Sequence, residues 1–124
     1  MKSARILSLF FVTVAFLVWL AGQATAVVLD DNGFQIDVDW GQKSNNQLFA
    51  WGSVTGEQEC QQVNITIRFS NRYNSSATAV VETFVENYKP GHKGSFKGAD
   101  RVRAASPKTR GQWFVESASA SCLK

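Results

Sequence analysis

The residues of this 124-residue chain that could carry catalysis are few, and they lie in one short segment. His92 is the only histidine, and it follows Pro90 and Gly91, with Ser95 and Asp100 a few residues further on. A nucleophile activated by histidine needs a serine, the imidazole and an orienting carboxylate around one reacting atom. A turn does not bring three such side chains together, so the sequence predicts an exposed His92 and a protein that is not an enzyme.

Four aspartates between residues 30 and 39 raise the question of a calcium site. Asp37 and Asp39 stand two residues apart on a predicted strand, so they share a face and could supply two oxygens. Calcium takes six to eight oxygen ligands, which favours a solvated acidic face over a metal site. The chain also lacks a glycine-rich phosphate loop and a dinucleotide-binding motif. The sequence therefore predicts neither a metal nor another cofactor.

Charge is distributed unevenly along the chain. Residues 27–59 contain six acidic side chains against Lys43 alone, whereas residues 89–110 contain seven basic side chains against Asp100 alone. The basic residues are Lys89, Lys93, Lys97, Arg101, Arg103, Lys108 and Arg110. Such asymmetry attracts an anionic partner to one side of a molecule.

The basic segment 89–110 is predicted to contact an anionic surface or polymer, such as lipopolysaccharide phosphate or an acidic glycan, or an acidic protein. The alternative is a solvated loop that its charges keep soluble. Nucleic acid is not an expected partner, because the segment has one aromatic residue, Phe96, and lacks the aromatic interleaving suited to base stacking.

Cys60 and Cys122 are the only cysteines, and they are predicted to form one disulfide bond. Two cysteines and one distant histidine cannot build a cysteine-rich zinc site, and no Cys-x-x-Cys redox pair is present. A domain of about 100 residues has a small core, which a covalent link between distant segments would help to stabilise.

The elements that position these residues are predicted to be strands, because apolar residues recur with a period of two. The clearest case is the segment 63–69, where Val63, Ile65, Ile67 and Phe69 alternate with polar residues. Strand 77–85 has apolar residues on both faces, which predicts a central position or partial cover from both sides. The predicted strands span residues 34–39, 48–55, 63–69, 77–85, 94–96 and 112–122, with a long loop at 98–111. Six or seven short strands predict a small antiparallel immunoglobulin-like β-sandwich.

Aromatic residues and glycosylation motifs give weaker indications. Trp51 and Trp113 lie within predicted strands and are assigned to the core, whereas Trp40 ends a strand and is either buried or exposed. The motifs Asn64-Ile-Thr66 and Asn74-Ser-Ser76 match the N-glycosylation acceptor pattern, with Asn64 on a strand face and Asn74 in a turn. A bacterial source would make both matches coincidental.

A set of short motifs resembles a known family. Three features carry the likeness: Gly52-Ser-Val54, the strand 63–69 preceded by Cys60, and Tyr88-Lys-Pro-Gly91 followed by Phe96. Together they resemble the FxLYD-type domain of bacterial exported proteins. The likeness covers about residues 47–98. It implies an immunoglobulin-like sandwich with an accessory, binding or structural role outside the cytoplasm, and it brings no catalytic residues.

The N-terminal 26 residues are predicted to be a secretory signal peptide. Lys2 and Arg5 precede the apolar run 6–21, and Ala24-Thr25-Ala26 fits a cleavage site. The remaining domain, 27–124, would then carry 11 basic and 10 acidic residues, a net charge of +1.

The protein is therefore expected to be secreted or periplasmic, without a stable membrane span; an uncleaved signal would instead tether it to the membrane. The expected function is non-catalytic binding or envelope assembly. The alternative is a small periplasmic inhibitor or chaperone-like protein that binds a protein partner by strand or loop addition.

Overall fold

A computed structural model describes residues 27–44 and 46–124, and in those residues seven β-strands form two antiparallel sheets. The predicted signal peptide lies outside the described residues. A short 3-10 helix, Pro107–Thr109, precedes the last strand. The strands are β1 Val27–Asp31, β2 Phe34–Ser44, β3 Gln47–Gly56, β4 Cys60–Asn71, β5 Thr78–Tyr88, β6 Lys93–Arg101 and β7 Trp113–Leu123.

The two sheets pack face to face as a β-sandwich, which confirms the predicted fold class. One sheet has four strands in the order β1-β2-β3-β6, and the other has three in the order β5-β4-β7. Four strands packed against three is the division found in immunoglobulin-like sandwiches. Consecutive strands β1, β2 and β3 form a meander. Strand β6, which follows β4 and β5 in the chain, pairs with β3 and completes the same sheet.

The core lies between the two sheets and follows directly from the alternation in the sequence. Along β4, the side chains of Val63, Ile65, Ile67 and Phe69 are each at most 1% exposed. The intervening residues of β4 face the solvent, so one face of this strand supplies the hydrophobic driving force. The largest buried side chains that β2 and β3 contribute are Phe34, Ile36, Val38, Leu48 and Val54.

Four strands differ most from the prediction, and one of them is β2, which runs to Ser44 where it was expected to end at Asp39. Strand β1 was not predicted, and β6 extends over nine residues where a three-residue strand followed by a loop was expected. Strand β5 is an edge strand, so the prediction of a central position for it was wrong. The alternative, partial cover from both sides, agrees with its outer face, where Phe84 is 50% exposed and Val80 is half-buried.

Side chains close the seam where the edge strands β5 and β6 of the two sheets approach each other. The backbone N–H of Val80 donates to the Asp100 carboxylate at 2.8 Å, and the Thr83 hydroxyl donates to the carbonyl of Lys97 at 2.8 Å. Each of these bonds satisfies a backbone group that a free edge would offer to another strand. The facing edges of β5 and β6 are therefore both partly protected.

The opposite seam, between β1 and β7, is closed at Ala120 in the same way. The Asn32 side-chain amide donates to the carbonyl of Ala120 at 2.7 Å, and the N–H of Ala120 donates to the Asp31 carboxylate at 3.0 Å. Both backbone groups of one β7 residue are thus satisfied by side chains from the end of β1. At this point β7 has no backbone group left to pair with an added strand.

The predicted disulfide between Cys60 and Cys122 is present. It joins the first residue of β4 to the end of β7, with a Cα–Cα distance of 5.5 Å. The bond therefore links two neighbouring strands of the three-stranded sheet and holds the C-terminal strand in place. A disulfide of this kind indicates an oxidising, extracytoplasmic environment.

An exposed ion pair beside the disulfide predicts a small dependence of stability on pH. The Lys89 ammonium lies 2.9 Å from the Glu59 carboxylate. This hydrogen bond, and then the lysine charge, lowers the pKa of Glu59 below its ordinary value of 4.5. The folded state is therefore stabilised above that value, and the contribution is lost as the pH falls through the lowered pKa.

Urea unfolding from about pH 6 to about pH 3 measures this contribution. The wild-type protein is expected to lose slightly more stability over that range than Glu59→Gln, and high salt is expected to remove the difference. Glu57→Gln is the matched control, since it removes the same charge outside the ion pair. Equal pH dependence of the wild type and Glu59→Gln at low salt would contradict the expectation.

Candidate functional site

The outer face of the four-stranded sheet places basic and aromatic side chains side by side. Because side chains alternate along a strand, β6 directs Lys93, Lys97 and Arg101 to this face, and all three are exposed. On the neighbouring strand β3, the same face carries Phe49 and Trp51. Strand pairing sets Trp51 directly opposite Lys97, so the aromatic and basic rows touch.

A hollow of about 840 Å³ opens over Phe49, because both residues paired with Phe49 are small. Gly41 of β2 lies on one side of it and Ala99 of β6 on the other. The Trp51 ring forms a wall of this hollow and leans over Gly41, 3.5 Å from where a Cβ at that position would be. Trp51 is 45% exposed, which leaves part of the indole free to contact a ligand.

Two lysines border the hollow. The Lys43 ammonium lies 5.6 Å from the centroid of the Phe49 ring, within the range of a cation–π contact. Lys43 lies where the pairing of β2 with β3 becomes irregular, between Gln42 and Ser44. Lys97 borders the hollow from the other side, on β6. The hollow thus combines an aromatic floor with two positive charges at its rim.

Acidic side chains occupy the other half of the same face. Asp37 and Asp39 point outward from β2, as predicted, and Asp30 is exposed on β1. One row across the sheet runs from Asp39 through Trp51 to Lys97. Apart from Lys43 near the end of β2, the face therefore changes from acidic at β1 and β2 to basic at β6, with the aromatic residues between.

The seven basic residues of the segment 89–110 do not form one loop surface, which corrects the sequence-based description of that segment. Lys93, Lys97 and Arg101 lie on a strand. Lys89 forms an ion pair with Glu59, and Arg103 forms one with Asp100 at 3.4 Å. The ammonium of Lys108 lies 5.9 Å from the Tyr73 ring centroid, and Arg110 is exposed after the 3-10 helix.

The residues considered for catalysis have separate structural roles. His92 is exposed and closes the turn after β5, where its N–H donates to the carbonyl of Lys89 at 3.1 Å. The Asp100 carboxylate accepts the N–H of Val80 and contacts Arg103. Within residues 27–44 and 46–124, no group of three histidine, cysteine or acidic side chains is arranged to hold a metal ion.

The three tryptophans of the described part occupy different environments. Trp113 is 7% exposed and belongs to the core, as predicted. Trp40 is half-buried, with its ring centroid 5.9 Å from that of Phe69. The prediction that Trp51 is a core residue was wrong, because Leu48 and Ala50 take the inward positions of β3. Residues 48–51 are all apolar and do not alternate, so the signal for the outer face was the polar pair Ser53 and Thr55, which share a face with Phe49 and Trp51.

The two glycosylation motifs lie where they were predicted. Asn64 is exposed on the outer face of β4. Asn74 lies in the turn between β4 and β5, and its side-chain oxygen accepts the N–H of Ser76 at 2.9 Å. Both sites are separate from the hollow, which lies on the other sheet.

Comparison of the chain with family models, with curated proteins and with solved structures finds no match. The likeness to the FxLYD-type domain therefore stays a prediction. Among the residues that the structure describes, no helix has the length and apolar character needed to span a membrane.

Proposed function

We propose that the protein is a secreted or periplasmic binding protein for an anionic polysaccharide, which it holds at the hollow without catalysis. The observation that carries the proposal is the pair of half-buried Phe49 and exposed Trp51 on the outer sheet face, bordered by Lys43 and Lys97. Aromatic rings offer flat apolar area for the apolar face of a sugar ring. The lysines supply charge for the carboxylate or sulfate groups of the same polymer.

A protein partner bound by strand addition is less well supported. Strand addition requires an edge with unpaired backbone groups. The backbone N–H groups of Val80 and Ala120 already donate hydrogen bonds to side chains. The backbone carbonyl of Lys97 already accepts a hydrogen bond from the Thr83 hydroxyl. These bonds oppose strand addition at three points on the edges of both sheets, so the outer face is the better candidate for binding.

Calorimetric titration of the protein with polygalacturonate and with dextran tests the proposed function. Polygalacturonate carries a carboxylate on each sugar and dextran is neutral, so the first is expected to bind at least tenfold more tightly. Trp51→Ala is expected to weaken polygalacturonate binding tenfold or more, about 1.4 kcal/mol, because the stacking surface is removed.

The chain provides a matched control for this variant. Tyr73 is also an exposed aromatic residue with a lysine, Lys108, near its ring, but it lies outside the hollow. Tyr73→Ala is expected to leave the affinity unchanged. Equal losses for Trp51→Ala and Tyr73→Ala, or equal binding of polygalacturonate and dextran, would contradict the proposed function.

A further inference from the structure

We propose that the ligand is an extended anionic chain that lies along β6 and contacts Lys93, Lys97 and Arg101 in turn. This inference rests on the proposed function and specifies the length and direction of the ligand. The three cations are four residues apart on one face of one strand, so adjacent charges are separated by about 13 Å. The row from Lys93 to Arg101 spans about 26 Å.

The acidic half of the face determines the direction of the chain. A polyanion that crossed the strands would leave the row of cations on β6 and reach β2, where Asp37 and Asp39 repel it and Lys43 alone attracts it. The distance from β6 to β2 is only about 10 Å, close to the screening length of physiological salt, so this repulsion is felt. A polyanion that follows β6 meets positive charge along its whole path and passes beside Trp51 at Lys97.

Ion pairs limit the length of the row. The next cation before Lys93 is Lys89, which is paired with Glu59. The next cation after Arg101 is Arg103, which is paired with Asp100. Since both neighbours are already neutralised, the uncompensated positive charge along this line runs from Lys93 to Arg101, and the bound length of the polymer should match that distance.

A series of galacturonate oligomers of increasing length tests the inference. Affinity is expected to rise with length until the oligomer spans about 26 Å and then to level off. Lys93→Gln and Arg101→Gln are each expected to weaken binding of the long oligomers several-fold and to leave short oligomers unaffected. Lys97→Gln is expected to weaken both. The salt dependence of binding should become weaker in each of these variants, because fewer cations then pair with the polyanion.

Lys108→Gln is the matched control, since it removes one positive charge outside the row; its affinity should equal that of the wild type at every length. Sulfated oligomers of the same lengths should show the same length limit, because the spacing of the cations sets it. Equal affinity for short and long oligomers, or no effect of Lys93→Gln and Arg101→Gln, would overturn the inference and leave the proposed function standing. Absence of binding at every length would overturn both.

Discussion

Replacing Cys60 and Cys122 together with alanine is expected to lower the free energy of unfolding by about 4 kcal/mol. The bond closes a loop with a sequence separation of 62, so its removal returns a large conformational entropy to the unfolded chain. It also frees the end of β7, which is paired only with β4 within its sheet. The free energy of unfolding of a native protein is about 5–15 kcal/mol, so the loss of the disulfide removes a large part of the stability.

Thermal and urea unfolding measure this effect, and the midpoint temperature is expected to fall by about 15–30 °C. The reduced wild-type protein is the matched control: it should unfold at nearly the same midpoint as the double variant. Added reductant should not change the midpoint of the variant. A wild-type midpoint that stays the same after full reduction would show that the bond does not stabilise the fold.

The disulfide and the core of β4 could be predicted because both depend on local or countable features of the sequence. Two cysteines leave one possible pairing within the chain. The strict alternation from Val63 to Phe69 determines which face of β4 is buried, whatever strand lies beside it. The disulfide pairing and the buried face of β4 can both be predicted without knowing the order of the strands in the sheets.

The length of β6 could not be predicted, and the reason lies in the packing of the two sheets. The inward positions of this strand include Gly94 and Gly98, where an added Cβ would come within 2.8 Å of the side chains of Val85 and Val81 on β5. Close approach of β5 thus requires glycine where an alternating strand would usually show apolar side chains. The period of two is interrupted, and the segment resembles a loop.

The candidate site was only partly predictable for a different reason. The basic residues were identified from charge, but Lys43 and Phe49 come from other strands and were not assigned to the site. Pairing of β3 with β2 on one side and with β6 on the other brings them to Lys97. The order β2-β3-β6 joins segments about 50 residues apart, and the sequence contains no local signal for such a register.

The pairing of β2 with β3 also explains the second large effect, which is expected for Gly52→Ala. A Cβ at residue 52 would lie 1.8 Å from the carbonyl oxygen of Asp37 and 3.1 Å from the Phe96 ring. That oxygen belongs to the backbone of β2, which the register Val38↔Gly52 holds in place, so it cannot move as a side-chain end could. The two strands would have to separate, at an expected cost of about 3 kcal/mol or more.

Gly41→Ala is the matched control, because it makes the same chemical change in the same strand pair. A Cβ at residue 41 would lie 3.5 Å from the Trp51 ring, an ordinary van der Waals contact. This variant is expected to stay within about 1 kcal/mol of the wild type, since alanine in a strand loses less backbone entropy than glycine. Urea unfolding of both variants measures the difference. Equal stability of Gly52→Ala and Gly41→Ala would mean that β2 and β3 are not held at the observed separation, and that the hollow between Gly41, Phe49 and Trp51 has a different shape.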